Sequence, residues 1–226
     1  MSGDSYSKNE NGVYVLNNGG VKTNIMNSRP GGGKSVLCKG GIIKEKNGEQ
    51  RYVKGLTEII PGLKIVSSGS WLRARAEQND SAGKLIAKAM SKGELVPLEY
   101  IVQIVLANEK IFMENDTLCD GLIREPDAVP EIVIDIFQKK WGLPNISSSE
   151  LYVTHGTSLS RVLFRDEGRT DDNQETAMNR LRIHEEYTKQ AINDLKVALP
   201  YHIFVNAELM TPEQRTVPYE FLYKCR

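Results

Sequence analysis

The fold of this chain is decided by one stretch, Ser28-Arg29-Pro30-Gly31-Gly32-Gly33-Lys34-Ser35. It follows a β-like run at 21–27 and leads into a plausible first helical turn at 35–38. A glycine-rich turn between a strand and a helix lets backbone N–H groups curl around a phosphate, because no Cβ atoms obstruct them. The lysine then reaches the terminal phosphates, and the hydroxyl that follows faces Mg²⁺. The stretch predicts a loop that holds nucleotide phosphates.

The motif departs from its general pattern at one position. The pattern G-x-x-x-x-G-K-[ST] is complete at Gly33-Lys34-Ser35, but Ser28 stands where its first glycine belongs. The alternative interpretation is a surface loop, rich in glycine and proline, that precedes a helix.

Composition excludes several classes of protein. The chain has 226 residues, enough for one α/β domain with a substantial core. Its 29 Lys and Arg residues balance 29 Asp and Glu residues, so no broad nucleic-acid surface is expected. No apolar run could cross a bilayer, and the first twenty residues do not resemble a targeting segment. Three widely spaced cysteines argue against a zinc site or a disulfide framework, and we therefore expect a cytoplasmic protein.

The hydrophobic pattern predicts the architecture. Strand-like segments alternate with helical ones and lie at 21–27, 63–67, 117–120, 151–154 and 201–205. This alternation predicts an α/β fold with a five-stranded parallel sheet covered by helices, and ligands at the carboxyl ends of the strands. We assign residues 1–20 to a tail and residues 21–226 to the domain. Within the tail, the run at 13–16 could add an edge strand.

Three further segments carry specific expectations. Residues 35–47 read as a helix interrupted at Gly40-Gly41, and Ser147-Ser148-Ser149 reads as a loop before a strand. Asp172 with Glu175 resembles a capping pair at the start of a long helix that ends near Leu199.

Arginines recur at the ends of the predicted elements. Phosphoryl transfer needs positioning and neutralisation of charge, and the planar guanidinium fork binds two phosphate oxygens at once. Taken singly, each of these arginines reads as a solvated surface residue. Their recurrence downstream of the phosphate loop instead favours a shared anionic ligand. The residues are Arg73, Arg124, Arg161, Arg165, Arg169 and Arg180.

Four motifs give the chain a family resemblance. They are S-G-S-W-L-R at 68–73, G-E-L-V-P at 93–97, D-G-L-I-R at 120–124, and R-T-D-D-N-Q-E-T at 169–176 with Arg180-Leu181. In this order they resemble the adenylate kinase group of nucleoside monophosphate kinases, over roughly residues 25–196. The resemblance implies a P-loop NTPase fold with a helical acceptor-binding insert at 70–112 and a short lid at 161–172. It also implies Mg²⁺-dependent transfer of the γ-phosphoryl group of ATP to a nucleoside monophosphate.

The resemblance also implies roles for individual residues. The catalytic residues would be Lys34, Arg124, Arg165, Arg169 and Arg180. The ATP site would comprise Pro30, Gly31, Gly32, Gly33, Lys34, Ser35, Val36, Arg161 and Arg165. The acceptor site would comprise Ser68, Gly69, Arg73, Leu95, Val96, Gly121, Arg124, Arg169 and Arg180. Ser35 and Asp120 would hold Mg²⁺, partly through water. The resemblance implies that the partners are ATP and a nucleoside monophosphate. We expect a monomer, and the balanced charge and the lack of a long apolar run predict no nucleic-acid or membrane partner.

Departures from the family pattern leave the acceptor open. Ala128 stands where the family has a glutamine that senses the acceptor base, and Ser70 replaces an aspartate. Only a short link joins Arg165 to Arg169, which leaves no room for the longer type of lid. AMP is the favoured acceptor and CMP or UMP the alternative. A third hypothesis is a degenerate relative that binds nucleotide and transfers phosphate poorly.

Overall fold

The computed structural model describes residues 6–8, 14–16, 20–45, 47–78, 80–163 and 174–224. Its strands are β1 (Tyr6–Lys8), β2 (Tyr14–Leu16), β3 (Lys22–Ser28), β4 (Gly41–Lys44), β5 (Gln50–Val53), β6 (Lys64–Ser67), β7 (Thr117–Asp120), β8 (Asn145–Tyr152) and β9 (His202–Asn206).

The helices alternate with these strands as the sequence predicts. The first six are α1 (Lys34–Lys39), α2 (Leu56–Ile59), α3 (Ser68–Ala76), α4 (Ser81–Lys92), α5 (Leu98–Ala107) and α6 (Glu109–Glu114). The others are α7 (His155–Leu163), α8 (Gln174–Ile183), α9 (Lys189–Ala198) and α10 (Pro212–Lys224), with π-helices π1 (Val129–Lys140) and π2 (His184–Thr188). None of the helices in the described ranges is long and apolar enough to span a membrane.

The central sheet has five parallel strands in the spatial order β6-β7-β3-β8-β9, which confirms the predicted α/β fold. All seven residues of β3 are buried, as expected for the middle strand of a parallel sheet covered on both faces. The chain passes from β3 to β6 on one side and later to β8 on the other. The strand order therefore reverses beside β3, where open α/β sheets bind their ligands.

Side chains of β3 point alternately into two cores, one on each face of the sheet. Ile25 belongs to a core that contains Phe112, Phe137 and Trp141, whereas the neighbouring Met26 belongs to the core on the opposite face. The rings of Phe112 and Phe137 lie 4.9 Å apart between centroids. This packing fixes the sheet between two helical layers, so its carboxyl edge is a rigid platform for a site.

The predicted helix at 35–47 is wrong, because α1 ends at Lys39 and a β-hairpin follows. Gly40 and Gly41 adopt positive φ angles of 74° and 147°, which turn the chain out of the helix. Strands β4 and β5 then pair antiparallel. Arg51 forms ion pairs with Glu45 in the hairpin and with Glu213 on α10, so the hairpin is joined to the last helix.

The predicted loop at Ser147-Ser148-Ser149 is also wrong, because these residues lie inside β8. Their hydroxyl groups are satisfied by neighbouring strands. The Asn24 amide donates to Ser147 Oγ over 2.9 Å, and Ser149 Oγ donates to Asn24 Oδ1 over 2.6 Å. Ser148 Oγ lies 2.8 Å from His202 Nδ1 on β9. Buried polar groups are tolerated when they are hydrogen-bonded, and here the sheet itself supplies the partners.

The short run near residue 14 does not extend the central sheet. Strand β2 pairs antiparallel with β1 in a separate two-stranded ribbon, which corrects the expected edge strand. The predicted long helix before Leu199 is present from Gln174 as α8, π2 and α9 in succession. Asp172, its expected capping residue, lies outside the described residues.

Candidate active site

The predicted phosphate loop follows β3 and leads directly into α1. Gly31 and Gly33 have φ angles of 71° and 93°, which residues with side chains rarely adopt. Gly32 packs against the strand end so closely that a Cβ atom would lie 1.8 Å from Ser28 Oγ. The backbone at 31–33 therefore strongly favours glycine. Ser28 is the last residue of β3, and its hydroxyl donates to Arg29 O over 3.1 Å.

Lysine, hydroxyl and carboxylate groups meet at the start of α1. Lys34 Nζ lies 3.7 Å from Asp120 Oδ1, at the end of the neighbouring strand β7. This Oδ1 atom is buried and makes no hydrogen bond to any residue in the described ranges. Ser35 is exposed and lines the same cleft as Asp120. A carboxylate with spare acceptor capacity and a hydroxyl in the same cleft are the types of oxygen group that suit a hard divalent cation.

A cleft opens at the carboxyl ends of β3, β6 and β7. Its lining includes the phosphate loop from Pro30 to Ser35, together with Ser68, Gly69, Asp120 and Gly121. The first turn of α1 also contains Val36, which lies outside this lining. The structure thus brings most of the predicted nucleotide residues to one edge of the sheet.

Three predicted arginines, Arg73, Arg124 and Arg180, line this cleft. The Arg124 guanidinium donates from Nε to Gly121 O over 3.0 Å. Loss of contact with water has the largest effect on the pKa of Arg124 and lowers it. The negative charge of Asp120 raises this pKa, and the positive charges of Arg180 and Arg73 lower it further. Like charges in one cleft repel each other, and a bound anion relieves this repulsion. The arrangement is therefore suited to bind a phosphate.

Part of the cleft lining is apolar. Leu95 and Val96 contribute to it together with Leu72 and Ile101, and Val96 is buried. Ala128 is 1% exposed and contributes only a methyl group to the lining. Ser68 donates its hydroxyl hydrogen to Gly121 O over 2.8 Å. This wall can enclose a planar ring and offers few side-chain hydrogen-bonding groups.

Arg161, a predicted residue of the ATP site, does not belong to the lining of the cleft. Arg161, on α7, reaches the phosphate loop from outside the cleft and approaches Gly31 O with Nη1 at 3.4 Å. Arg165 and Arg169 lie outside the described residues, as does most of the predicted lid at 161–172. The predicted insert at 70–112 includes α4 and α5 entirely.

Sequence reasoning missed the tie between the phosphate loop and π2. Arg29 Nε donates to Glu185 Oε1 over 3.0 Å, and Nη1 donates to Val153 O over 2.5 Å. Partial burial opposes ionisation of Glu185, but hydrogen bonds from Lys189 and Arg29 lower its pKa to about 2. Because Arg29 and Glu185 are 156 residues apart, no local pattern could have found the pair. The tie joins the loop to π2, which follows directly after α8 and its Arg180.

His184 was also missed as a residue of the cleft. Its side chain lines the cleft and is 5% exposed, and Nδ1 makes no hydrogen bond within the described part of the chain. Burial and then the positive charge of Arg29 lower the pKa of His184 to about 4. His184 is therefore neutral at physiological pH and adds no charge beside the phosphate loop.

We expect the free energy of unfolding to fall as pH is lowered from 7 to 5. Between its unfolded pKa near 6.5 and its folded pKa of about 4, His184 binds a proton only in the unfolded chain. The loss from His184 alone should be on the order of 2 kcal/mol. Urea unfolding of the wild type and of His184→Gln at both pH values measures it.

The control for this measurement is internal. Burial also lowers the pKa of His202 to about 4, but His202 is present in both proteins and contributes equally to each. The variant should therefore lose about 2 kcal/mol less than the wild type over this pH range. Parallel pH profiles would show that His184 does not titrate as the structure indicates.

The chain is similar to known adenylate kinases. No family model matches the chain. Adenylate kinase isoenzyme 1 of Rattus norvegicus is 33% identical over 170 residues, which cover 73% of this chain and 75% of that protein. Adenylate kinase isoenzyme 1 of Sus scrofa is 32% identical and covers 72% of this chain and 75% of that protein. Adenylate kinase of Helicobacter pylori strain HPAG1 is 32% identical over 179 residues, which cover 79% of this chain and 85% of that protein.

Proposed function

Since the chain belongs to the adenylate kinase family of nucleoside monophosphate kinases, we propose that it transfers the γ-phosphoryl group of ATP reversibly to AMP. The phosphotransferase class follows from the relatives. One observation carries the choice of site: Lys34 of the phosphate loop faces the same cleft as Arg73, Arg124 and Arg180. One cleft thus offers a cradle for a triphosphate and a separate cationic cluster for a monophosphate.

The ATP end is proposed at the phosphate loop. Backbone N–H groups at 31–33 would surround the phosphates, and Lys34 would lie against the terminal one. Pro30 and Val36 flank this cradle, and Arg161 would lie against the adenine base. The positive φ angles of Gly31 and Gly33 support this role, because they curl the backbone.

The acceptor end is proposed on the opposite side of the cleft. Arg73 and Arg124 would bind the acceptor phosphate, with Arg180 beside them, and Gly69 and Gly121 would allow close backbone approach. The crowding that lowers the pKa of Arg124 supports this assignment, because a bound dianion would relieve it. Leu95 and Val96, together with Ser68, would enclose the acceptor base.

Chemistry at this site requires alignment more than proton transfer. The attacking oxygen belongs to a phosphate that is already an anion near neutral pH, so the chain needs no general base. Fixed cations hold two mutually repelling anions in line, and exclusion of water strengthens their effect. We propose that Arg165 and Arg169 close over the transferring group from the lid at 161–172.

The proposed site fits a magnesium ion. Ser35 would hold it directly, and Asp120, whose buried Oδ1 makes no hydrogen bond within the described ranges, would hold it through water. When bound, the ion neutralises charge on the phosphate oxygens during transfer. Lys34 lies 3.7 Å from the same carboxylate oxygen and would keep the carboxylate oriented toward the phosphate loop.

A second acceptor class, UMP or CMP, is favoured by one observation. Ala128 presents only a methyl group to the acceptor wall, so no side-chain amide at this position selects adenine. Discrimination between bases is strong only where a site hydrogen-bonds the correct base and leaves buried groups unpaired with the wrong one.

An acceptor screen tests the proposed function. ADP formation from ATP and Mg²⁺ is measured with AMP, UMP, CMP and GMP in turn, and ATP binding is measured separately by calorimetry. We expect the highest kcat/KM with AMP. Higher values with UMP or CMP would assign the acceptor to the second class. Measurable ATP binding without turnover on any acceptor would favour the degenerate nucleotide-binding module.

We further propose that the chain acts in the cytoplasm as a monomer and without nucleic acid. Its formal net charge of zero supports the absence of a polyanion partner. Cys38 and Cys119 are buried free thiols, a state that a reducing compartment maintains.

A further inference from the structure

The guanidinium groups of Arg161 and Arg215 lie beside the phosphate loop, and neither residue belongs to the lining of the cleft described above. Arg215 is in the first turn of α10, a position that neither the phosphate-loop pattern nor the family motifs include. Its Nε donates to Met210 O over 3.0 Å, and its Nη2 donates to Ala207 O over 2.7 Å. These two bonds hold the guanidinium rigidly against the connection between β9 and α10.

The remaining nitrogen of Arg215 points to the phosphate loop. A Cβ atom built on Gly33 would lie 3.8 Å from Arg215 Nη1 and 3.9 Å from Arg161 Nη1. Arg215 Nη1 makes no hydrogen bond to any residue in the ranges that the structure describes. Two cationic donors from different helices therefore converge on the same backbone position, and one of them is fixed in place.

The positive charges of Arg161 and Arg215 repel each other, and a bound anion would reduce this repulsion. Burial and then the charge of Arg161 lower the pKa of Arg215, and Glu208 and Glu213 only partly compensate. Glu208 is already engaged, because its Oε1 accepts hydrogen bonds from the backbone N–H and the hydroxyl of Thr154 at 2.7 and 3.1 Å. A phosphate oxygen beside Gly33 would accept from Arg215 Nη1 and relieve the repulsion.

We propose that Arg215 is an ATP-binding residue whose Nη1 donates to the α-phosphate, the phosphate that carries the nucleoside. The inference rests on the proposed binding of ATP at the phosphate loop. Lys34 and Asp120 mark the end of the loop where the terminal phosphates lie, inside the cleft. Arg161 and Arg215 reach Gly33 from outside that cleft, so the phosphate nearest them is the one closest to the nucleoside.

The test is equilibrium binding of ATP, without acceptor, to the wild type and to Arg215→Ala. We expect the variant to bind ATP about 10- to 100-fold more weakly, the range for a charge-assisted hydrogen bond. Inorganic tripolyphosphate should lose affinity in the same proportion, whereas adenosine should bind both proteins equally. Arg215→Met, which keeps the aliphatic stem packed, should show the same losses if the alanine variant folds poorly. Arg182→Ala is the matched control, because its exposed guanidinium bonds to Asn179 and Glu186 on α8 and π2, outside the cleft lining.

The outcomes separate this inference from the proposed function. Unchanged ATP affinity in both Arg215 variants would overturn it, and so would a loss seen with adenosine but not with tripolyphosphate. A wild-type chain that binds neither ATP nor tripolyphosphate would overturn the inference and the proposed function together. Because no acceptor is present, the result is independent of which nucleoside monophosphate the chain uses.

Discussion

Lys34→Met is expected to lower turnover by about 10³-fold or more while the chain stays folded. Lys34 is the cation of the phosphate loop that we propose lies against the transferring group, and methionine removes its charge at similar length. Its carboxylate neighbour, Asp120, is 3.7 Å away, and both side chains keep some solvent contact. Water can therefore hydrate Asp120 in the variant, and we expect little loss of stability.

Steady-state kinetics with ATP and the preferred acceptor, together with a thermal melt, measure this effect. Lys139→Met is the matched control, because Lys139 is an exposed lysine that pairs with Asp135 on π1. The control should retain wild-type activity. Near-normal turnover in Lys34→Met, with an unchanged melting temperature, would refute the assignment of the phosphate loop as the ATP site.

Arg124→Ala is expected to raise the KM for the acceptor about 100-fold and the KM for ATP less than threefold. A 100-fold change in KM corresponds to about 2.7 kcal/mol, which is within the range for hydrogen bonds to charged groups such as a guanidinium bound to a phosphate. The same substitution should not destabilise the fold strongly. Arg124 is exposed, so its truncation leaves no cavity in the core.

The control for Arg124 comes from the predicted acceptor insert. Arg75 lies on α3 with Arg73 but forms a bidentate ion pair with Asp80, and Arg75→Ala should leave both KM values within threefold of wild type. Initial rates at varied ATP and acceptor concentrations give both constants. Equal increases for the two substrates in Arg124→Ala would show that Arg124 does not belong to the acceptor site.

Much of the sheet could be predicted because its signals are local. The runs at 21–27, 63–67 and 201–205 are short β-like segments, and each corresponds to a strand of the central sheet. The glycine-rich turn at 31–33 is equally local, since its φ angles admit few residues other than glycine.

The errors fall where distant partners override a local pattern. The three serines at 147–149 read as a loop because serine favours turns, yet Asn24 on β3 satisfies Ser147 and Ser149 inside the sheet. The segment after Lys39 reads as a continued helix. Gly55 packs so closely on Gly40 that a Cβ atom would lie 2.1 Å from Gly40 N, and the chain turns into a hairpin there.

Local sequence patterns established the alternation of strands and helices, the shape of the phosphate loop, and the motifs that place arginines at the ends of elements. The packing of the folded chain established which of those arginines share one cleft, and it gave Arg29, His184 and Arg215 contacts that no motif assigns. Local patterns suffice for loops and strands because their conformations depend mainly on neighbouring residues. The pairs Arg29–Glu185 and Arg215–Gly33 instead depend on the order in which distant strands and helices pack around β3.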